Sequence, residues 1–294
     1  MSHSFHESIA SIPRLGLGIS TEYGASQADG ALCVHDAHKT APQFTQFLEV
    51  GVEVAKGLDI DSRRWAEAGR PTTFHFLDIN LDEPEDFDSE WLDQVRELIN
   101  VLKPAWMCGD AGLWHFGPRD RGHMLLLPPI LTASAAKAMA QGIRRLSEAT
   151  GLMVLPENPP GHVYVGDLHL LEFFAQVTTE ADTGMLLDCA HLAIYQQQQG
   201  HSPLSGFENF PFDRIVEVHV AGGTSHAHEG YAYIEDDHCP TVLPDTWTIF
   251  DEVVKRAPNL KAVVFECERN SLQEALPGFE TIQSTLHEHG RWPR

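Results

Sequence analysis

Carboxylates and imidazoles fall again and again at the ends of short apolar runs in this chain. They are Glu49 and Glu53 in FLEVGVE, His75 and Asp78 in FHFLD, Asp110 and His115 in CGDAGLWH, and Glu157 and Asn158 in LPENPP. Asp188 and His191 follow in LLDCAH, His219 in VEVHVAGG, Asp236 and His238 in IEDDH, and Glu266 and Glu268 in AVVFECE. These side chains bind metals or move protons, and core packing does not produce the pattern, because an unpaired buried charge costs several kcal/mol. Taken singly, each has a plainer explanation. His75 could be a core histidine bonded to a carbonyl, Asp188 a helix N-cap, Asp110 a turn residue, and Glu157-Asn158-Pro159-Pro160 a rigid loop entry. Taken together on successive strand ends they point to metal ions held between carboxylates. Mixed oxygen and nitrogen donors without thiolate disfavour an iron–sulfur cluster or a structural zinc site and leave iron, manganese, cobalt or catalytic zinc. About eight candidate ligands exceed what one ion holds, so two or three ions with bridging carboxylates are expected.

Other chemistries are poorly represented. There is no GxSxG elbow and no P-loop, and LGLG at 15–18 lacks the third glycine of a dinucleotide fingerprint, which leaves close packing of a first strand as its reading. The five cysteines, Cys33, Cys108, Cys189, Cys239 and Cys267, stand singly and suggest reduced thiols rather than a disulfide framework. Twenty basic against 42 acidic residues give a formal charge of −22, which argues against nucleic acid or an anionic membrane as partner. No apolar run reaches the ~20 residues that a bilayer span needs, and Met1 to Arg14 has no stretch of secretory type, so a soluble cytoplasmic protein is expected.

The elements that must position these residues are eight strands: Leu15 to Ile19, Gln46 to Val52, Thr73 to Ile79, Ala105 to Asp110, Leu152 to Glu157, Gly184 to Asp188, Ile215 to Val220 and Lys261 to Glu266. Helical spacing separates several of them. Glu90 to Leu102 carries Trp91, Val95, Leu98 and Leu102 on one stripe, Thr132 to Ala149 opens on a capping Thr, and Asp167 to Ala181 and Asp245 to Arg256 complete the set. Alternating strands and helices imply parallel strands with crossover helices. Eight of them close into a (β/α)8 TIM barrel, whose C-terminal strand ends meet at one mouth, with a doubly wound open sheet as the rival. No linker or 20–50-residue repeat divides the chain, so residues 1–294 read as a single barrel domain.

The ordered motifs GHMLLLPPILT, LPENPP, GMLLDCAH, VEVHVAGG, IEDDHCPTVLPDTW and AVVFECE resemble the multinuclear non-haem iron-dependent oxidative enzymes, among them those of methanobactin and 3-thiaglutamate biosynthesis. The resemblance runs from about Leu15 to Glu268. It implies an α/β barrel of the xylose-isomerase-like type, two or three iron ions (Fe2+/Fe3+), O2 as co-substrate, and a ribosomally made peptide substrate oxidised at a cysteine. It further implies a separate partner protein that grips the peptide's leader. Substrate thiolate, dioxygen and the carbon–hydrogen bond beside the sulfur would meet at the metal. Carried over by position, the resemblance nominates His75, Asp110, Glu157, Asp188, His191, His219, Asp236, His238 and Glu266 as iron ligands. Glu53, His115, Asn158 and His226 are further candidates, and Asp78, Glu217 and Glu268 are expected to accept protons from ligand histidines.

Two positions depart from the family pattern. Ala111 stands where a histidine commonly follows the acidic residue, with His115 as its substitute, and Gly223 stands where a second histidine commonly follows the VHVAG motif, with His226 or His228 nearby. The acidic surface predicts a basic leader or a basic partner. Competing readings keep the barrel: a divalent-metal sugar isomerase or epimerase, a zinc phosphodiesterase, or a metal-binding accessory protein without turnover.

Overall fold

The structure, a computed structural model, describes residues 4–27, 30–117, 121 and 124–291. Gly122 and His123, which open the GHMLLLPPILT motif, and the first three residues of the Met1 to Arg14 stretch lie outside them. The eight expected strands are present. β1 (Gly16–Glu22), β2 (Leu48–Val52), β3 (Thr72–Phe76), β4 (Met107–Asp110), β5 (Val154–Glu157), β6 (Met185–Asp188), β7 (Ile215–Ala221) and, after a hairpin, β10 (Ala262–Glu266) form a closed barrel in the order β1-β10-β7-β6-β5-β4-β3-β2. Every barrel pairing is parallel, from Ile19 against Leu48 round to Gly16 against Ala262. All C-terminal strand ends therefore open on one face.

Helices cover the outside. In α4 (Ser89–Leu102) the expected stripe Trp91, Val95, Leu98 and Leu102 is the buried face, Asp88 caps the Trp91 N–H at 2.8 Å, and Lys103 ends the helix in the left-handed region. Thr132 caps α5 (Ala133–Thr150), as its position suggested. α6 (Leu170–Ala181) and α8 (Pro244–Arg256) match the remaining expected helices closely. Helices α1 (Phe5–Ser11), α2 (Val34–Thr40), α3 (Ile60–Glu67), α7 (Cys189–Gln199) and α9 (Leu272–Glu288) add to the sequence reading. α7 has no legible stripe because residues from Cys189 to Gln196 are all buried.

Strand β3 stops at Phe76 instead of Ile79, because the Asp78 carboxylate accepts from the Val54 N–H at 2.8 Å and from Trp91 Nε1 at 3.3 Å, turning the chain out of the sheet. The first-strand glycines do serve close packing: a Cβ on Gly18 would lie 2.4 Å from the Phe47 ring. Between β7 and α8 the chain inserts an antiparallel hairpin, β8 (Thr224–His228) with β9 (Tyr231–Glu235). Beyond the hairpin the chain returns across the mouth through Asp236 and His238. Gly222 permits this return, since a Cβ there would lie 1.8 Å from the Cys239 carbonyl oxygen.

At the N-terminal end the barrel is sealed with apolar groups. Phe5 and Ile9 of α1 pack on Leu15, Phe47, Trp106, Leu155, Leu186, Val216 and Val264.

Candidate metal centre

Seven of the barrel strands carry a buried polar side chain toward the mouth: Glu49 on β2, His75 on β3, Asp110 on β4, Glu157 on β5, Asp188 on β6, His219 on β7 and Glu266 on β10. His191 reaches in from the first turn of α7, and Asp236 and His238 from the loop after the hairpin. His75 Nε2 lies 2.8 Å from Glu157 Oε2, and His191 Nε2 lies 2.9 Å from Asp236 Oδ2. His219 Nδ1 lies 3.4 Å from both Glu157 Oε1 and Glu266 Oε1, and 4.0 Å from Asp188 Oδ2. His238 Nε2 lies 3.6 Å from Asp236 and 3.7 Å from Glu266.

Three sets of donor atoms at the mouth sit close enough to surround an ion: His75 with Asp110 and Glu157; Glu157 with Asp188 and His191; and Glu49 with His219 and Glu266. Glu157 belongs to two of them, as a bridging carboxylate would. A metal also fits what the protein leaves unsatisfied. Asp110 Oδ1, Asp188 Oδ2, His219 Nδ1, Asp236 Oδ1 and Glu266 Oε2 are buried with no hydrogen-bond partner, and orphaned acceptors facing one another need a cation.

Electrostatics agree. Burial and the neighbouring Glu157 push Asp110 well above the usual carboxylate range, and burial lifts Asp188 to about 7 against the pull of His191. Burial alone would lower His75, but Glu49 and Glu157 raise it to about 9. The same opposition, decided by carboxylates, raises His191, His219 and His238. Glu157 is held well below its ordinary value despite burial by His219 and His75, and Asp236 likewise by His191 and His238.

Two histidines have their rings fixed from behind. His238 Nδ1 lies 2.7 Å from Glu268 Oε1, so it presents Nε2 to the mouth; His191 Nδ1 lies 2.9 Å from the Asn158 carbonyl oxygen and also 3.6 Å from Glu157 and 3.7 Å from Asp110 and Asp188, while its Nε2 faces Asp236. Burial opposes the charge on Glu268, but His238 holds it down at about 2. Asn158 also exchanges hydrogen bonds with the backbone of Asp188, at 2.9 and 3.0 Å, which locks β5 to β6. Asp188 is both the helix cap and the open carboxylate: Oδ1 accepts from the His191 N–H while Oδ2 stays unpartnered.

The nine nominated ligands converge on this mouth, and several other candidates do not. Glu53 pairs with Lys56 on the surface, and Asp78 is spent on Val54 and Trp91. His115 cannot stand in for the histidine replaced by Ala111: its Nδ1 lies 2.7 Å from the Gly117 carbonyl and its Nε2 2.9 Å from Asp86, on the far side of the loop. His226 is on the exposed hairpin beside Glu235 at 3.0 Å, and His228 is exposed as well, so neither replaces a histidine at Gly223. Of the expected proton acceptors, Glu268 alone serves a histidine. Glu217 instead takes the Trp106 indole N–H at 2.6 Å one layer deeper, where burial raises it to about 8. Glu49, rather than Glu53, is the carboxylate that reaches the cluster, because β2 ends at Val52 and Glu53 lies beyond it beside Lys56.

The mouth is a cleft of about 240 Å³ whose rim includes Ser20, Trp114, Met124, Leu126, Pro160 and Arg269. No helix among the described residues is long and apolar enough to cross a membrane.

Comparison with known proteins follows the same lines. Residues 31–287 match the family described as RiPP precursor modification enzyme MbnB/TglH/ChrH. A UPF0276 protein of Acaryochloris marina is 27% identical over 68% of this chain and 71% of its own length, and one of Nitrosospira multiformis is 25% identical over 82% and 81%. Among solved structures, a xylose isomerase-like TIM barrel protein from Mycobacterium smegmatis in complex with magnesium superposes with a TM-score of 0.55 at 11% identity, covering 98% of this chain and 99% of that one. An IOLI protein with a bound zinc atom gives 0.52 at 13% identity, covering 93% and 96%. These structural likenesses establish the xylose-isomerase-like barrel.

Proposed function

Because the chain belongs to the RiPP precursor modification enzyme family, whose members act on ribosomally made peptides, we propose that it is a multinuclear iron, O2-dependent oxidase or oxygenase that modifies a cysteine of such a peptide. The observation that carries this reading is Glu157, a fully buried carboxylate shared by two ligand sets and ringed by orphaned donor atoms. His75, Asp110, Glu157, Asp188, His191, His219, Asp236, His238 and Glu266 would hold two or three iron ions. Bound iron would supply one-electron redox chemistry with dioxygen and a docking point for a substrate thiolate.

The protein's own share is positioning and charge. Asn158 and Glu268 fix the ring orientations of His191 and His238, and Glu268 leaves the His238 Nε2 lone pair for the mouth. The buried carboxylates offset the positive charge of the ions, and the barrel wall beneath them keeps bulk water from the cluster. Trp114, Met124 and Leu126 give one side of the cleft an apolar wall against which a peptide side chain can pack. The substrate peptide's leader would be held by a partner protein, with the chain's net acidity favouring basic segments, an attraction that weakens with salt.

The test is anaerobic purification with ferrous iron, metal analysis, and measurement of O2 uptake and peptide mass change on cysteine-containing precursor peptides. At least two irons per chain and O2 consumption coupled to a mass change are expected. Full activity with less than one iron per chain, or turnover without oxygen as a sugar isomerase would show, removes the proposal.

A further inference from the structure

Beneath His219 lies Glu49, a carboxylate that touches the cluster but is bonded unlike its neighbours. Its Oε1 and Oε2 lie 3.1 and 3.2 Å from His219 Nε2. Oε2 also accepts from the Cys108 thiol at 3.1 Å and from the Thr73 hydroxyl at 3.4 Å. The orphaned oxygens at the mouth belong to Asp110, Asp188, Asp236 and Glu266, not to Glu49. On the opposite edge of the same imidazole, Nδ1 is buried, unpartnered and faced by Glu157, Glu266 and Asp188. A neutral imidazole has one N–H and one lone pair, and whichever nitrogen meets a fixed acceptor keeps the proton.

Resting on the metal reading above, we infer that Glu49, although near enough to His219 and Glu266 to share an ion with them, is a positioning residue and not a ligand: it holds the proton on His219 Nε2 and so turns the Nδ1 lone pair toward Glu157, Glu266 and Asp188. His219 thereby binds through Nδ1, whereas His238, whose Nδ1 is taken by Glu268, binds through Nε2. The reversal follows from where the rings are anchored. His238 comes from the return loop, with its acceptor Glu268 behind it. His219 rises from within β7, and the acceptor it meets lies below, in the barrel. Cys108 and Thr73 in turn hold Glu49 in place, so their own hydrogen bonds bear on the metal only through it.

Two measurements decide the matter. In the full-length protein loaded with zinc and labelled with 15N in its histidine rings, NMR should place the metal on Nδ1 of His219 and the proton on Nε2. Metal on Nε2 overturns the inference while leaving the metal centre standing, and no zinc or iron uptake at all sinks both. In parallel, Glu49→Leu and Glu49→Gln are titrated with ferrous iron without oxygen and with cobalt(II), whose visible absorption reports coordination. Glu49→Leu should weaken one ion by roughly 10–100-fold and leave the others intact. Glu49→Gln, whose amide oxygen still accepts from Nε2, should recover most of that loss with an unchanged cobalt spectrum. Wild-type affinity in Glu49→Leu, or a cobalt spectrum in Glu49→Gln showing a lost donor, overturns it.

Discussion

At its N-terminal end the barrel interior is filled by Leu15, Phe47, Trp106, Leu155 and Val264 under the lid of α1, with no charged group among them. Two to four residues further along the same strands stand Glu49, Asp110, Glu157 and Glu266, buried nearly as deeply, with one oxygen of Asp110 and one of Glu266 left without a hydrogen-bond partner. The Trp106–Glu217 hydrogen bond marks the boundary between the two layers. One set of strands thus supports two opposite packing rules: the lower layer stabilises the fold by removing apolar area from water, and the upper layer costs stability until a cation arrives. The difference teaches where to look for function in such a barrel, since only the upper layer has something left to bind.

The contrast can be broken most directly at Glu157. On the iron reading proposed above, Glu157→Gln should remove the carboxylate common to two ligand sets, lowering bound iron by at least one ion per chain and peptide modification by roughly a hundredfold or more, with the fold retained. Metal analysis beside circular dichroism checks this, and unchanged iron content would mean that the carboxylate is not shared. The converse change lies in the lower layer. Phe5→Ala, at a side chain only 1% exposed, should cost roughly 3–4 kcal/mol in urea unfolding while each folded chain keeps its full metal complement.

Metal removal should come next in size. A chelator should lower Tm, and excess ion should restore it, by an amount equivalent to roughly 2–3 kcal/mol at a hundredfold excess over Kd. A Tm indifferent to both treatments would mean that the upper layer needs no cation.

A smaller effect sharpens the boundary of the site. Asp78 is buried and raised to about 6, so the folded state holds its proton more tightly than the unfolded chain does. The stability it contributes is present below its unfolded value near 4 and is lost as pH rises through 6. The stability of Asp78→Asn relative to wild type should therefore climb by roughly 2 kcal/mol between pH 4 and pH 6, and a flat difference would contradict the shift. Tyr231→Ala, on the exposed hairpin, should change stability by under about 0.5 kcal/mol and metal content not at all.

Much of this was legible in the sequence for one reason: an apolar strand that runs straight into a carboxylate or imidazole, as AVVFE and VEVHV do, shows both its pairing and its polar end in a few residues. The barrel and six of the nine mouth residues, His75, Asp110, Glu157, Asp188, His219 and Glu266, share that local signature, whereas His191 sits on α7 and Asp236 and His238 on the return loop. What the sequence hides is long-range. The burial of His115 against Asp86 and the diversion of Asp78 to Val54 and Trp91 depend on contacts between loops that no spacing encodes. Helix α7 escaped because it is buried on all sides from Cys189 to Gln196, and the hairpin because its alternation of His, Tyr and Ala resembles ordinary loop composition. The choice of ring nitrogen on each histidine is set by partners up to 170 positions away, so it becomes visible only in three dimensions.

Asp188 ties one oxygen to the start of α7 and leaves the other facing the cluster. Filling the mouth must therefore stiffen a stretch of main chain on the outer wall, making the first amides of that helix a remote gauge of occupancy. Slower deuterium uptake there on loading would let an observer follow cofactor arrival without any spectroscopic handle on the ions themselves.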